Sequence, residues 1–519
     1  MKTRLIGLLF IFIGATIYSQ NEFDGFALYN AQNNTTAYLI DKDGDIAHTW
    51  SCDLPCNYTV LLKNNGNLIR GAINPGNQLG GAAQGGRVQE IDPNGNVVWE
   101  FTYSDNTRLA HHDITLVNDN VLLTAWEVKS VNELTQAGYE GASSAKWPTH
   151  FVEVAHDGSG GGEIVWEWHL WDHLIQDHDS TKENYGVVAD HPELFDINMI
   201  QAGGGGPGGG GPGGGGPGGG GQNGDWFHVN GVNYNATLDQ IAFCSRHASE
   251  IFIIDHSTTS AEAAGHTGGN SGMGGDLIYR WGNPSNYDAP GVQQIPSAVH
   301  DVRWITDDGR PNGGFLQFFN NSGIGNSSTV DAIETPIDGY NYILNPGQAY
   351  GPSTFSWTHI CNGYASGQSA SDRMTNGNVF VNLSGGQGGS GYMYEADANG
   401  NVVWQYNAGG TQKAFRYECK HPGIAVLLDS PCEDQDETAL SEQVLQNLSI
   451  YPNPSNGFFE VRGLDSQDIK IQVANAFGTL IMEQTSKSID LTSCSNGLYL
   501  VTVIDQKGNT NTQSISLVK

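Results

Sequence analysis

The sequence predicts an all-β protein, a six-bladed β-propeller followed by a small C-terminal β-sandwich. The first observation is a repeated phrase of alternating apolar residues, an acidic residue, a turn with glycine and two β-branched residues. Its six copies each end on a tryptophan: Trp50, Trp99, Trp166, Trp281, Trp357 and Trp404. The second is a hairpin that lies between these phrases, and the third is a change of composition after residue 446.

The hairpins between the phrases supply the other half of each blade. Asn-Gly turns between apolar runs mark two of them, around Gly66 and Gly377, and similar units begin at His112, His228 and His300. One inner and one outer hairpin make a four-stranded blade. The first outer phrase, at Ala37, lacks an inner hairpin, whereas the strand-like stretch 423–428 follows the last one. We therefore expect these two pieces to close the sixth blade of a propeller that spans residues 25–428.

Four further segments have distinct compositions. Residues 1–19 carry Lys2 and Arg4 before an apolar run, which is typical of a secretory signal peptide cleaved near Ser19. No other apolar run is long enough to cross a bilayer, so we predict no transmembrane segment. Residues 203–221 are rich in Gly and Pro and are expected to form a flexible surface insertion. Residues 429–446 read as a polar linker, and 447–519 as the β-sandwich.

Charge and cysteine content restrict the partners and the compartment. The net charge of −32 argues against nucleic acid as a partner, because nucleic-acid binding requires clustered Lys and Arg. Seven cysteines in an exported chain make disulfides plausible, with Cys52–Cys56 as the expected local pair and Cys419–Cys432 as a second candidate. No CxxC motif occurs, which argues against a cysteine-based zinc site.

Histidines begin three of the inner hairpins, at His112, His228 and His300. The innermost strand of each blade lines the central channel, so the repeat predicts that these side chains converge there. The alternative is that His-Asp pairs cap strands structurally. Neighbouring residues on a strand point to opposite faces, so Asp113 and Asp301 are expected to point away from the channel.

Arg246 lies at the far end of the hairpin that begins at His228. An antiparallel hairpin returns its second strand beside its first, so Arg246 is expected near His228 and Asn230. A guanidinium group binds a tetrahedral oxyanion with paired donors, and Asn adds a neutral donor. The alternative is a salt bridge from Arg246 to Glu250.

These motifs together resemble the arylsulfate sulfotransferase family, exported six-bladed propellers that use no nucleotide sulfate donor. The resemblance covers about residues 25–425 and rests on the following segments: His111-His112-Asp113-Ile114, Glu167 to Leu174, His228-x-Asn230 with Arg246, His300-Asp301-Val302, and Phe415-Arg416-Tyr417. It implies transfer of a sulfuryl group from an aryl sulfate donor to a phenolic acceptor.

The resemblance also implies roles for single residues. His300 matches the histidine that is transiently sulfurylated, and His112, His228 and Arg246 match catalytic residues around the sulfate. His111 and Asn230 are the expected substrate-binding residues. We predict neither a metal nor another cofactor.

The C-terminal segment opens with Tyr451-Pro452-Asn453-Pro454 and resembles the sorting domain of the type IX secretion pathway. This implies export, with release or attachment at the cell surface, and the type IX machinery as a partner. Two other functions stay open at this point. One is a non-catalytic binding propeller, an adhesin or glycan reader. The other is a metal-dependent hydrolase, which would need several carboxylates that point into the channel.

Overall fold

The computed structural model describes residues 22–200, 224–385, 390–428, 431–432, 448–462, 469–475, 479–505 and 510–519. The predicted signal peptide, the Gly/Pro-rich insertion and most of the predicted linker lie outside these residues. The chain divides into two compact units, Met1–Pro431 and Cys432–Lys519. Within the described ranges, no helix combines the length and apolar character needed to cross a membrane.

The first three blades of the first unit are four-stranded antiparallel sheets. Blade 1 begins with β1 (Gly25–Asn30), β2 (Thr36–Ile40) and β3 (Ile46–Ser51). Blade 2 consists of β4 (Cys56–Leu62), β5 (Leu68–Ile73), β6 (Gly86–Ile91) and β7 (Val97–Thr102). Blade 3 consists of β8 (Arg108–Val117), β9 (Asn120–Glu127), β10 (Thr149–His156) and β11 (Gly162–His169), with helix α1 (Val131–Gln136) between β9 and β10. A short parallel pair follows, β12 (Leu174–Ile175) and β13 (Phe195–Asp196), flanked by 3₁₀ turns at Leu170–Asp172 and Val188–Asp190.

The other three blades repeat the same architecture. Blade 4 contains β14 (Val229–Asn235), β15 (Gln240–Ser245), β16 (Glu250–Asp255), helix α2 (Ser260–Ala263) and β17 (Leu277–Trp281), followed by a 3₁₀ turn at Pro284–Tyr287. Blade 5 contains β18 (Val299–Trp304), β19 (Leu316–Ile324), β20 (Ser327–Ile333), a small hairpin of β21 (Ile337–Asp338) and β22 (Asn341–Tyr342), and β23 (Trp357–Ile360). Blade 6 contains β24 (Ala370–Arg373), β25 (Val379–Leu383), β26 (Gly391–Ala396) and β27 (Val402–Gly409), and the unit ends with β28 (Ala414–Glu418) and helix α3 (Pro422–Leu427).

The ring closes in blade 1, where the end of the unit pairs with its beginning. Strand β28 pairs with β1, from Gly25 opposite Glu418 to Tyr29 opposite Ala414, and becomes the innermost strand of this blade. The innermost strands β4, β8, β14, β18, β24 and β28 contact one another in order, and β28 contacts β4. These contacts define a closed six-bladed propeller.

Two details of this closure differ from the sequence prediction. The stretch expected as a closing strand, 423–428, instead forms α3, because Pro422 cannot donate to a β-ladder and occupies the first helical turn, where His421 caps the helix. The inner strand β1, which precedes Ala37, was not predicted. All six of its residues are buried, so it lacks the alternation that marks a half-exposed strand.

The six repeated tryptophans lie on the outermost strands, and four of them join neighbouring blades by a hydrogen bond. The indole nitrogens of four of them donate hydrogen bonds to the following blade: Trp99 to Gly161 O, Trp166 to Thr258 Oγ1, Trp281 to Pro352 O and Trp404 to Lys42 O. The last of these bonds spans blades 6 and 1. The repeated sequence motif therefore also supplies the indole hydrogen bonds that connect neighbouring blades at the rim.

The second unit is a two-sheet β-sandwich. One sheet has the order β29-β30-β33, and the other β32-β31-β34-β35. The strands are β29 (Ser449–Tyr451), β30 (Phe458–Arg462), β31 (Ile469–Asn475), β32 (Leu480–Gln484), β33 (Ser488–Asp490), β34 (Gly497–Asp505) and β35 (Thr510–Leu517). Both sheets contribute to one apolar core, which includes Phe459 and Val473. The predicted fold class, a six-bladed propeller followed by a small sandwich, is confirmed.

The cysteines follow only one of the two expected pairings. Cys419 and Cys432 are disulfide-bonded. Cys52 and Cys56 are free thiols. They flank the crossover from blade 1 to blade 2, where the N–H groups of Cys52 and Cys56 donate to Thr35 O and Asn34 O, and the Cys56 side chain is buried beside Arg70. Both residues interact with Arg70, but they remain separate thiols, so the expected local pair is not formed in this structure.

Candidate active site at the propeller axis

Several innermost strands carry β-bulges near the axis. The bulge of β8 contains His111 and His112, and those of β14 and β18 lie just after His228 and His300. In β8, Ala110 pairs with Ala125 and Ile114 with Leu123, so that residues 111–113 lie opposite a single residue. Strand β4 has the same bulge at residues 57–59, and β14 and β18 have shorter ones. A bulge adds unpaired residues and turns side chains away from strict alternation. His112 and Asp301 adopt φ values of 49° and 52°, in the left-handed region.

Residues from non-adjacent blades meet here, which is possible only at the axis. Gln368, which precedes β24 in blade 6, donates from Nε2 to Tyr58 Oη in blade 2 over 2.6 Å. The Tyr58 ring packs edge-on against His112 of blade 3 at a centroid distance of 5.6 Å. His112 in turn lies 4.6 Å from the ring of His228, which enters blade 4. The structure therefore brings His112 and His228 together.

His300 belongs to the same cluster, and one of its two ring nitrogens is hydrogen-bonded within the protein. Its Nδ1 atom lies 2.6 Å from Asn321 Oδ1 and 2.8 Å from Ala298 O. Asn321 donates from Nδ2 to Ala365 O and Gln368 O, which fixes its oxygen toward His300. Both neighbours of Nδ1 accept, so Nδ1 carries the hydrogen and Nε2 presents its lone pair. This Nε2 atom is buried and has no hydrogen-bond partner among the described residues.

Burial keeps the axial imidazoles neutral. It disfavours the charged form and lowers the pKa of His300 well below its usual value, and the positive charge of Arg246 adds to the effect. Burial also holds the pKa of His112 well below the usual value and that of His111 at about 3. His111 stacks on Trp126 at 4.0 Å, and its Nδ1 atom lies 2.7 Å from Nδ1 of His112. These rings are uncharged near neutral pH.

His228 has a carboxylate partner that sequence reasoning missed. Asp225 Oδ2 lies 2.6 Å from His228 Nδ1, and Asp225 Oδ1 accepts from Trp126 Nε1 at 3.1 Å. Although burial disfavours its charge, His228 and its neighbours lower the pKa of Asp225 to about 2. The pair has the arrangement in which a carboxylate orients an imidazole and stabilises its protonated form.

The backbone N–H of Arg246 donates to His228 O at 3.1 Å, close to where the sequence placed it, and its side chain lies beside His300. Its Nη1 atom donates to Ser366 O at 3.1 Å, and a Cβ on Gly367 would lie 3.2 Å from this atom and 3.9 Å from Cε1 of His300. Burial lowers the pKa of Arg246, which stays charged at neutral pH. The alternative partner, Glu250, is bound instead by Arg280 at 2.8 Å. Arg246 thus leaves donors for an anion at the axis.

Asn230 was expected to bind the substrate anion, but both polar atoms of its side chain contact protein groups. Its Nδ2 atom donates to Val299 O at 2.9 Å, and its Oδ1 atom accepts from Cys244 Sγ at 3.1 Å. Val299 directly precedes His300. The side chain is buried and joins blade 4 to the strand that carries His300.

A charged layer lies next to the histidines. Lys413, which precedes β28, is buried, and its Nζ atom donates to Asp113 Oδ2 at 2.7 Å and to Asp301 Oδ1 at 3.0 Å. These residues come from blades 1, 3 and 5 and can meet only at the axis. The expectation that both aspartates point away from the channel is therefore wrong, because the bulges cancel the alternation on which it relied.

Tyr58, Asn321, Asp225 and Lys413 were not identified from the sequence. Only Tyr58 had a readable signal, because it occupies the same place in the bulge of β4 as His112 does in that of β8. Asn321, Asp225 and Lys413 lie outside the repeated phrase or on second strands.

Two groups of His and carboxylate side chains with the spacing of metal ligands lie in blades 3 and 4, off the axis: Glu127, His150 and His169, and His173, His266 and Asp276.

The fold and this cluster define a propeller with an axial site that offers neutral imidazoles beside one arginine. The profile of the Arylsulfotransferase (ASST) family matches residues 16–343. The chain belongs to this family, which indicates a sulfotransferase-type activity on small molecules. Residues 449–517 match the secretion system C-terminal sorting domain, which indicates export with release or attachment at the cell surface through the type IX machinery.

Comparisons with other proteins add only distant likeness. No curated protein matches the chain significantly. A protein of unknown function from Bacteroides caccae is 11% identical, with 76% of this chain and 98% of that chain covered and a TM-score of 0.40. Hydrazine synthase of Kuenenia stuttgartiensis is 12% identical, with 60% and 69% covered and a TM-score of 0.33. The β-propeller domain of Cps50 (Swd1) from Myceliophteria thermophila is 9% identical, with 77% and 94% covered and a TM-score of 0.31.

Proposed function

We propose that this protein is an exported aryl sulfotransferase that moves a sulfuryl group from a phenolic sulfate ester to a second phenol through a covalent intermediate on His300. One observation carries the proposal. The Nε2 lone pair of His300 is buried and, within the described part of the chain, unpartnered, while Asn321 holds the hydrogen on Nδ1. An imidazole in this tautomer is a nucleophile that needs no prior deprotonation.

In the first step, Nε2 of His300 attacks sulfur. The N–S bond forms as the bond from sulfur to the aryl oxygen breaks, and the phenolate leaves with the electron pair. A phenol has a pKa of about 10, so its anion is a good leaving group. In the second step, the oxygen of another phenol attacks the same sulfur, its proton is removed, and the N–S bond breaks to restore His300. The departed phenolate takes up one proton overall, so atoms and charge balance.

The proton of the acceptor phenol goes to His228. Asp225 lies at 2.6 Å from Nδ1 of this ring, which leaves Nε2 to accept the proton and stabilises the imidazolium that results. Negative charge on the sulfuryl oxygens is met by the Arg246 guanidinium and by the hydroxyl of Tyr58, whose oxygen already accepts from Gln368 and whose hydrogen is therefore free to be donated. His111 and His112 line the same space with neutral rings, and Asn230 positions His300 through Val299.

The test uses the purified full chain with an aryl sulfate donor and a phenol acceptor. We expect ping-pong transfer that persists with a chelator, and a mass increase of one sulfuryl group on the peptide that contains His300 when the acceptor is left out. His300→Ala should abolish transfer, whereas the control His156→Ala, on an outer strand, should not. Transfer by His300→Ala would refute the nucleophile. Loss with chelator would favour a metal-dependent hydrolase, and no transfer across many phenols would favour a binding propeller.

The proposal includes export, directed by an N-terminal signal peptide and a C-terminal sorting domain. We expect residues 1–19 to be removed and the segment 447–519 to direct passage through the type IX machinery. Mass spectrometry of the protein from the cell surface or medium reports both ends. Retention of the full-length chain inside the cell would contradict this part and leave the chemistry untouched.

A further inference from the structure

A second group of titratable side chains lies where the segment after blade 3 meets the loop before β17. Its members are His173, His266 and Asp276. The Nδ1 atoms of the two histidines lie 2.7 Å and 2.8 Å from the same oxygen, Oδ1 of Asp276. His173 and Asp276 are buried, whereas the side chain of His266 is 62% exposed. Three ligand-type atoms thus converge within 4.8 Å of one another.

The orientation of His173 leaves a place for a proton or a metal ion beside its Nδ1 atom. Its Nε2 atom lies 2.9 Å from the carbonyl oxygen of Ala263, which can only accept, so Nε2 carries a hydrogen. In the neutral ring the Nδ1 lone pair then faces a carboxylate oxygen at 2.7 Å. Two lone pairs at this distance repel unless a proton or a metal ion lies between them. The ring is held in place by Trp168, which stacks on it at 5.6 Å.

Charge balance favours a metal ion. Asp276 is buried, and in the described part of the chain its ion pairs involve only the two histidines, with no Lys or Arg. The comparable group of Glu127, His150 and His169 differs, because Lys129 Nζ lies 2.8 Å from Glu127 and neutralises it. A buried carboxylate without such a partner needs positive charge from another source.

The loop from His266 to Asp276 carries two of the three side chains and is rich in glycine. Five of the nine residues between His266 and Asp276 are glycines, which lose more backbone entropy on ordering than other residues. Gly275 packs so closely that a Cβ there would lie 2.7 Å from His173 Nε2. An ion bound to both ends of the loop and to His173 would offset the cost of holding this loop in place.

We propose that His173, His266 and Asp276 bind a divalent transition-metal ion with the preferences of Zn²⁺. Two imidazole nitrogens and one carboxylate oxygen are ligands that suit this ion, and the carbonyl bond on Nε2 of His173 is the support that metal-bound imidazoles usually have. His266 lines a cavity of about 810 Å³ together with Trp171 and His191, so the site can be reached from solvent through this ligand. The site is independent of the sulfuryl transfer proposed above.

The test measures zinc on the full chain after removal of metal by chelator, incubation with ZnCl₂ and desalting. We expect the wild type to hold about one equivalent more zinc than His266→Ala and Asp276→Asn, as a specific three-ligand site requires. His191→Ala is the matched control. His191 lines the same cavity and contacts Glu193 at 2.8 Å, yet it belongs to no such group among the described residues. It should bind zinc as the wild type does.

A second measurement does not depend on variants that fold poorly. Zinc should raise the melting temperature of the wild type and of His191→Ala, and Co²⁺ should give the visible absorption of a four-coordinate site in both. Equal zinc content in all four proteins would overturn the proposal. A wild type that binds no zinc would also overturn it and would assign a proton, rather than a metal, to the space between His173 and Asp276.

Discussion

The Nδ1 atom of His300 donates its hydrogen to Oδ1 of Asn321 over 2.6 Å. Because two carbonyl groups fix the amide of Asn321, this bond decides which nitrogen of His300 faces the axis. We expect Asn321→Ala to lower kcat on the order of 10²-fold with little change in KM, since it misplaces the nucleophile without touching the substrate.

The control for this variant is Asn382→Ala. Asn382 lies on the second strand of blade 6 and donates to two backbone carbonyls in the same way, but no histidine contacts it in the described structure. Its replacement should cost stability without a selective loss of kcat. Equal losses of kcat in the two variants would show that Asn321 acts only through folding.

The pH dependence of transfer follows from the buried state of His300. Burial and Arg246 hold its pKa well below the usual value, so the neutral nucleophile persists as the solution becomes acidic. The acid limb of kcat/KM should therefore fall below about pH 6.5, the midpoint for an unperturbed imidazole. A limb at or above that value would show that His300 is not the group that titrates in the free enzyme.

Arg246 contributes both a donor and a charge. We expect Arg246→Gln to lower kcat/KM by about 100-fold, as the loss of one charge-stabilising donor does elsewhere, and to move the acid limb to higher pH because a charge that opposes protonation of His300 is gone. Arg108→Gln is the control, since Arg108 is half exposed and pairs with Asp105 at 3.0 Å. If Arg246→Gln lowers kcat/KM but leaves the acid limb at the same pH, Arg246 binds the anion without changing the pKa of His300.

Tyr58→Phe tests the donor that sequence reasoning missed. The ring should keep its place beside His112, while loss of the hydroxyl should lower kcat/KM by about 100-fold. Tyr417→Phe is the comparison, because the Tyr417 hydroxyl accepts from Leu62 N and serves the fold. A Tyr58→Phe enzyme with unchanged kcat/KM would remove Tyr58 from the sulfuryl site.

Lys413→Met should destabilise the propeller by about 3 kcal/mol, because it leaves two buried carboxylates without their shared cation. Denaturation by urea measures this loss, and adding Asp301→Asn should recover part of it. Burial opposes the charge of Lys413, but Asp113 and Asp301 outweigh it and raise its pKa above 10.5. The stabilising contribution is therefore present below that pH and lost only as the pH rises through the raised value.

The sequence predicted the blades well because each outer phrase repeats its turn and its tryptophan. It failed at the seam, where β1 is buried along its whole length and gives no alternating pattern. Cys52 and Cys56 show a similar limit, since their spacing fits a local disulfide but their backbone bonds to the turn between β1 and β2 set their directions.

The candidate site was predicted in outline only. The repeat position of His112, His228 and His300 marked the axis, but the direction of Asp113 and Asp301 depends on bulges that alternation cannot reveal. Lys413 was missed because its partners come from blades that are far apart in the chain, at separations of 300 and 112 residues. Such contacts arise only from closure of the ring.

The shared bulge of β4 and β8 places two different side chains at equivalent points of the axis. Tyr58 and His112 stand at the same point of their strands, yet one offers a hydroxyl and the other an imidazole. The ladder on either side does not depend on which of the two is present, because bulged residues are outside it. The groups presented at the axis are therefore set separately from the indole hydrogen bonds that join the blades at the rim.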